Sequence, residues 1–403
     1  MTTHFDILVV GGGAAGFFTA INCAEKNPKL KIGILERGKE VLSKVRISGG
    51  GRCNVTHACF EPNELVKNYP RGEKELRGPF HKFGAGDTIE WFNNHGVALK
   101  IEADGRMFPI SNSSQTILDC FTENAHKLGI SIRLGQSVQS IYKAAEHWKI
   151  ETQNEQFIAE KLILATGSNP KIWDMLQSFG HAVVSPVPSL FTFNIKDSRI
   201  KELPGVATLV NLKIKDTKLE SSGPMLITHW GMSGPAILKL SAWGARILND
   251  KNHQFTLFVN WLNDLDFEEV VLNLKELKLE QAKKAVSKKS PFEITNRLWE
   301  SLVLASGIES ETKWADLSKT QLQNLSNQLT NSTFQVNGKS TFKEEFVTAG
   351  GIDLKEINFT TMESKLHENL YFAGEIMNID AITGGFNFQN AWTSGFIIAN
   401  NLT

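Results

Sequence analysis

The residues best spaced for chemistry lie in FDILVVGGGAAG, residues 5–16. Four apolar residues, Ile7 to Val10, run directly into Gly11-x-Gly13-x-x-Gly16, and the pattern then turns helical through Phe17, Ala20, Ile21 and Ala24. Gly11 permits a tight turn, Gly13 lets the backbone approach a pyrophosphate, and Gly16 lets the helix pack close to the strand. The helix start, at Ala14 and Ala15, offers free N–H groups and the positive end of its dipole to that pyrophosphate. A second apolar run, Lys31 to Leu35, ends in Glu36-Arg37. An acid there accepts hydrogen bonds from an adenosine ribose and repels a 2′-phosphate. Strand, glycines, helix and acid together predict dinucleotide binding rather than an ordinary Gly-rich βα turn.

Three further segments extend the prediction to a bound flavin. In KVRISGGGRCNVTH, residues 44–57, Ser48, Gly49, Gly50 and Gly51 let backbone N–H groups converge on an anion. Lys44, Arg46 and Arg52 add positive charge there, and Asn54 closes the segment. Cys53 is a candidate redox partner or flavin anchor, set against the plainer role of a small packing residue. In LILATGS, residues 162–168, a buried strand leads to Ala165, Thr166 and Gly167, which would lie beside an adenosine diphosphate. In residues 369–402 a strand ends at Gly374-Glu375, a loop carries Asp380, and Gly384-Gly385 precede a helix beginning near Phe386 or Asn387. Glu375 and Asp380 are expected to reach ribityl hydroxyls. Gly385 is expected to face the isoalloxazine, with the helix start stabilising negative charge on the reduced ring. Val138 completes the candidate cofactor contacts. Proton-transfer candidates are His229 in THWGMSGP, His57, and Arg106 in DGRMFPIS; the sequence does not decide among them.

These residues need elements to hold them. The fold class expected is α/β: a Rossmann-like FAD-binding domain of the two-domain flavoprotein type, with an inserted β-rich domain and a small helical subdomain. The FAD domain is expected over 1–190 and 340–403, the β-rich domain over 191–265 and 331–339, and the helical subdomain over 266–330. Within the first domain a helix is predicted over 114–128, capped by Ser113 or Ser114. Short strands Ile130–Leu134, Val138–Tyr142, Trp148–Thr152 and Phe157–Ala159 predict an antiparallel meander before a separate buried strand, Lys161–Ala165. Ser233 and Pro235 predict a helix N-terminus. Trp299 and Leu302 are expected in a core.

Forty-three Lys and Arg balance 43 Asp and Glu, so no global field attracts nucleic acid or an anionic membrane. No secretory signal and no apolar run long enough for a membrane span is visible. The four cysteines form no C-x-x-C pair, so neither a zinc site nor a disulfide frame is expected. The expected location is cytoplasmic.

The chain is similar to the BaiN/YhiN-type family of bacterial flavoproteins, NAD(P)/FAD-dependent oxidoreductases that include aminoacetone-oxidase-like members. The resemblance runs through VVGGGAAG, SGGGRCNVTH, THWGMSGPAILKLS, VTAGGIDLKEI, TMESK and GE…D…TGGFNFQNAW…SG. It implies FAD in an interrupted domain. Two departures stand out: Ala381-Ile382 where the family usually has glycine after the aspartate, and Phe386 where tyrosine is common. The expected activity is hydride transfer between flavin N5 and a small organic substrate, with non-covalent FAD and NAD(P)H as an available transient reductant. Neither nucleic acid nor membrane is an expected partner, and the oligomeric state is not legible. A flavin-binding redox sensor or assembly protein is one rival reading; an RNA-modifying flavoenzyme is a second, against which the zero net charge and the lack of a basic cluster count.

Overall fold

The computed structural model describes residues 2–340 and 347–402. The chain forms two compact units, Met1–Val187 with Lys343–Thr403, and Pro188–Phe342. The return to the first domain, expected near residue 340, falls at 341–346, outside the described residues.

The first unit is built on five parallel strands. In chain order these are Thr2–Val10, Ile32–Leu35, Ser131–Arg133, Gln156–Leu164 and Leu370–Phe372; in the sheet they run third, second, first, fourth, fifth. The order reverses between the first strand and the fourth, the place where such sheets open a crevice at their carboxyl ends. Gly11 and Ala165 leave the sheet at that point. Ile7, Leu8, Val9, Leu162, Ile163 and Leu164 are all fully buried, because helices cover both faces of a parallel sheet.

Three local expectations are corrected. Ile130–Leu134 does not join the meander: Ser131–Arg133 pairs parallel with Ile32–Leu35 as a main-sheet strand. Phe157–Ala159 and Lys161–Ala165 are one strand, Gln156–Leu164, whose first half pairs antiparallel with His147–Thr152 and whose second half pairs parallel with Leu370–Phe372. Ser114 precedes the helix Gln115–Lys127 without capping it, since its hydroxyl donates to the Arg46 carbonyl at 2.7 Å.

The second unit contains a closed six-stranded barrel formed by Thr192–Ile195, Ala207–Ile214, Glu220–Thr228, Gly231–Ser233, Gln254–Asn260 and Ser332–Ser340. The helices Phe267–Glu280, Asn296–Ala305 and Lys319–Thr330 each start at a side-chain cap, from Asp266, Thr295 and Ser318. They share one core with the barrel, in which Trp299, Leu302 and Leu325 pack with Leu257 and Val259. The segment 266–330 therefore has no separate core. Ser233 ends a strand and bonds to Thr192, and Gly234, at φ +93°, takes the cap position before Pro235. No helix among the described residues is long and apolar enough to cross a membrane.

Behind the main sheet, His181 lies with its side chain fully buried between Glu356, at 2.7 Å, and the Ser364 hydroxyl, at 3.0 Å. Burial holds its pKa below the ordinary imidazole value, so the fold prefers the neutral ring. That contribution to stability is complete above about pH 6.5 and is lost as pH falls toward the depressed value. The expected result is a weaker loss of Tm between about pH 7.5 and 5.5 in His181→Asn than in the parent. Parallel Tm–pH curves would assign the titration to other groups.

Candidate functional site

The first strand delivers Gly11 at φ +116°, and a Cβ there would lie 2.3 Å from the Ala165 carbonyl oxygen. Gly16 is closed in the same way, with the Gly11 oxygen 2.0 Å from the place of a Cβ. Gly13, by contrast, faces open space and is the N-cap of the helix Ala14–Lys26, with no side chain capping it. This arrangement leaves room for a ligand at the helix start and nowhere behind it. Glu36 accepts the Gly12 N–H at 2.9 Å and the Gly38 N–H at 2.7 Å, which fixes its carboxylate beside the glycine turn. Arg37 is exposed, and Val138 opens the first strand of the meander.

Thr166 hangs over the same crevice, and its buried hydroxyl has no partner. Asn378 and Asn390 likewise each keep a buried side-chain oxygen without a partner. A Cβ on Gly167, at φ +61°, would sit 3.7 Å from Glu375 Oε2. Glu375 in turn accepts from Lys44 Nζ at 2.8 Å, and this carboxylate raises the pKa of Lys44. The structure thus joins Gly167, Lys44 and Glu375, which come from three segments far apart in the chain. Gly374, at φ +73°, packs on Ala15, and its N–H donates to Ser394.

The glycine run takes a definite shape. Gly49, Gly50 and Gly51 are all left-handed, at φ +58°, +68° and +81°, and break the helix Ser43–Gly51 after a bend at Ser48. A Cβ on Gly50 or Gly51 would meet nothing within 4 Å, so the side of this bend is open. Arg52 lies over the Phe108 ring at 3.9 Å and pairs with Glu102, while Arg46 reaches Gln115. Asn54 accepts the Met107 N–H. Cys53 is fully buried, which pushes its thiol up to about 12; a thiolate is not populated near neutrality, and the residue packs.

His57 and Arg106 are register partners on two short strands. The His57 ring stacks on Phe386 at 4.6 Å, and its Nδ1 lies 3.1 Å from the Gly384 carbonyl oxygen. That oxygen can only accept, so Nδ1 carries the proton. Burial lowers the His57 pKa and keeps the ring neutral. Arg106 is paired with Asp104 and Glu102. His229 is exposed on a turn of the second unit.

One expectation about the C-terminal segment is corrected. Asp380 is fully buried and held by the Arg71 guanidinium through two contacts, so its carboxylate is engaged within the protein and does not present itself to a ribityl chain. Gly385, at φ +93°, is closed by protein on the side a side chain would take: a Cβ would lie 2.6 Å from the Thr56 carbonyl oxygen. Asn387 ties the same loop down, bonding through both side-chain atoms to the backbone of Ala381. The sequence reading missed Arg71 and Tyr69, whose hydroxyl donates to the Phe386 carbonyl at 2.5 Å. The available signal was YPRG at 69–72 inside the Gly- and Arg-rich stretch, without a partner to attach it to.

The crevice fits FAD. Glu36 would hold the adenosine ribose, the Gly13 turn and helix start the pyrophosphate, and Thr166, Lys44 and Glu375 the stretch beyond it. Glu36→Ala is expected to cost roughly 1.5–3 kcal/mol of charge-assisted bonding and to weaken FAD ten- to a hundredfold in titrations of the apoprotein. An unchanged Kd would make Glu36 a clamp on the turn alone.

A Rossmann sheet, a Gly-rich turn at its order reversal and a fixed acid on the neighbouring strand define a FAD-dependent oxidoreductase. The chain belongs to the family described as HI0933-like protein Rossmann domain, whose model matches residues 5–401. It is 28% identical to the ribosomal RNA dihydrouridine synthase of Escherichia coli K12, over 99% of this chain and 98% of that one. It is 25% identical to the 3-dehydro-bile acid delta(4,6)-reductase of Clostridium scindens, over 96% and 97% respectively. Among solved structures, the 3-ketosteroid-delta4-(5alpha)-dehydrogenase of Rhodococcus jostii RHA1 shares the fold, at TM-score 0.51, 12% identity and coverage of 98% and 97%.

Proposed function

We propose that the protein reduces a carbon–carbon double bond conjugated to a carbonyl, and that its substrate is a uracil base in ribosomal RNA. The observation that carries this reading is the end-to-end match to a relative named for dihydrouridine synthesis in ribosomal RNA. A further relative matched over nearly its full length is named as a 3-dehydro-bile acid delta(4,6)-reductase, so both names describe reduction of the same bond type. FAD held in the crevice would, once reduced by a nicotinamide nucleotide, supply the hydride for the carbon β to the carbonyl, with the α carbon taking its proton from solvent. The residues of this chain hold the cofactor and shape its surroundings. Neutral His57 orients the Gly384–Gly385 turn through its Nδ1–H and is a positioning residue. Arg71 and Asn387 fix the loop that leads into the helix Phe386–Leu402.

This reading departs from the expectation of a small-molecule substrate without nucleic acid. Net charge averages over the chain, whereas phosphate contact depends on local charge. Lys283, Lys284, Lys288 and Lys289 stand exposed within one short segment, and the bridge between Ala285 and Lys313 sets a fifth exposed lysine beside them. The test is to incubate the holoprotein and NADH or NADPH with ribosomal RNA lacking dihydrouridine. The expected outcome is nucleosides gaining two hydrogens at uridine, seen by mass spectrometry. Reduction of a 3-keto-4,6-diene steroid with no change in the RNA would move the substrate to the steroid class.

A further inference from the structure

A cavity of about 540 Å³ lies entirely within the unit Pro188–Phe342. Its volume falls in the roughly 300–1,000 Å³ range of small-molecule sites. The barrel register builds its wall. Lys213 stands between Glu220 on one neighbouring strand and Phe258 on the other, and Asn211 occupies the adjoining row. Lys239 reaches the cavity from the helix Pro235–Trp243.

Two features of this wall are unexplained by the fold itself. Lys213 and Lys239 are exposed, and neither has a carboxylate at ion-pair distance among the described residues. Phe258 is an aromatic residue left partly uncovered on the outer face of a barrel strand.

We propose that this cavity is a second binding site and that it takes a phosphorylated nucleoside. Two ammonium groups against one carboxylate suit an anion that also carries hydroxyls. Lys213 and Lys239 meet the phosphate, Glu220 accepts from ribose hydroxyls, and Phe258 offers a face to the base. A nicotinamide dinucleotide and a nucleotide of an RNA strand share this chemistry. The site does not depend on ribosomal RNA being the substrate.

Equilibrium binding to the oxidised holoprotein separates the two sources. One arm titrates NADP+, which cannot reduce the flavin, by calorimetry. The other follows a fluorescent single-stranded RNA oligonucleotide by polarisation. At least one probe is expected to bind, and the double variant Lys213→Ala/Lys239→Ala to weaken it about a hundredfold. Lys319→Ala, away from the cavity, is expected to bind like the parent. Flavin absorbance and Tm should stay at parental values in every variant, since the substituted lysines bear no structural contact. Weakening confined to NADP+ assigns the cavity to a dinucleotide, and weakening confined to RNA assigns it to the strand. Failure of both probes to bind the parent at millimolar concentration would overturn the proposal, as would undiminished binding to the double variant.

Discussion

Arg71→Met is expected to destabilise the protein by about 3–5 kcal/mol and to empty most of the flavin site. The guanidinium is the double partner of a carboxylate that is fully removed from water. Deleting it strands a buried charge, and the cost of stranding one exceeds the net worth of the pair. The damage reaches the cofactor because Asp380 starts the loop that carries Gly384 and Gly385 into the last helix. Arg71→Lys should recover only part of the loss, since an ammonium cannot reproduce the planar fork. Urea unfolding of the holoprotein and the flavin-to-protein absorbance ratio read both effects. A stability change below about 1 kcal/mol would show that the loop is held by its other contacts, with Asn387 foremost.

Gly16→Ala is expected to yield a protein without flavin, destabilised by about 3 kcal/mol or more. A methyl group there would lie 2.0 Å from the Gly11 carbonyl oxygen and 3.2 Å from Val9, both backed by fully packed residues. The helix must then lift from the strand, which opens the turn that presents its N–H groups. Gly13→Ala is the informative companion, because its methyl group would enter open space where the pyrophosphate belongs. That variant should melt like the parent as apoprotein yet bind FAD more than tenfold less tightly. If Gly13→Ala bound FAD normally, the pyrophosphate would lie elsewhere.

What the sequence disclosed, it disclosed locally. Gly11, Gly13, Gly16 and Glu36 are legible because a tight turn, a helix start and a strand-end acid fall within one βαβ unit. The strand Gln156–Leu164 was read as two because its periodicity changes midway. Its first half alternates beside the meander, its second half is buried on both faces, and exposed Glu160 marks the junction. Asp380 was misassigned for another reason. An acid near a flavin segment reads the same in sequence whether it faces a ligand or a guanidinium, and Arg71 lies far away along the chain. Ser114 and Ser233 stand where caps belong, but their hydroxyls found other partners. For Gly385, close approach to Thr56 demands a glycine as strictly as close approach to a ring, so the residue type alone does not tell the two apart.

The fifth strand of the parallel sheet and the helix after it are synthesised long after the glycine turn. Until Leu370–Phe372 docks beside Leu162–Leu164, the crevice lacks Glu375, and Lys44 has nothing to pair with. The glycine turn and its acid are synthesised early and must wait, with one edge of the fourth strand uncovered, while the whole barrel unit is made. Cofactor capture therefore waits until the segment around Glu375 has emerged and docked. A stalled or clipped chain would carry a recognisable nucleotide-binding turn and still be unable to retain a flavin.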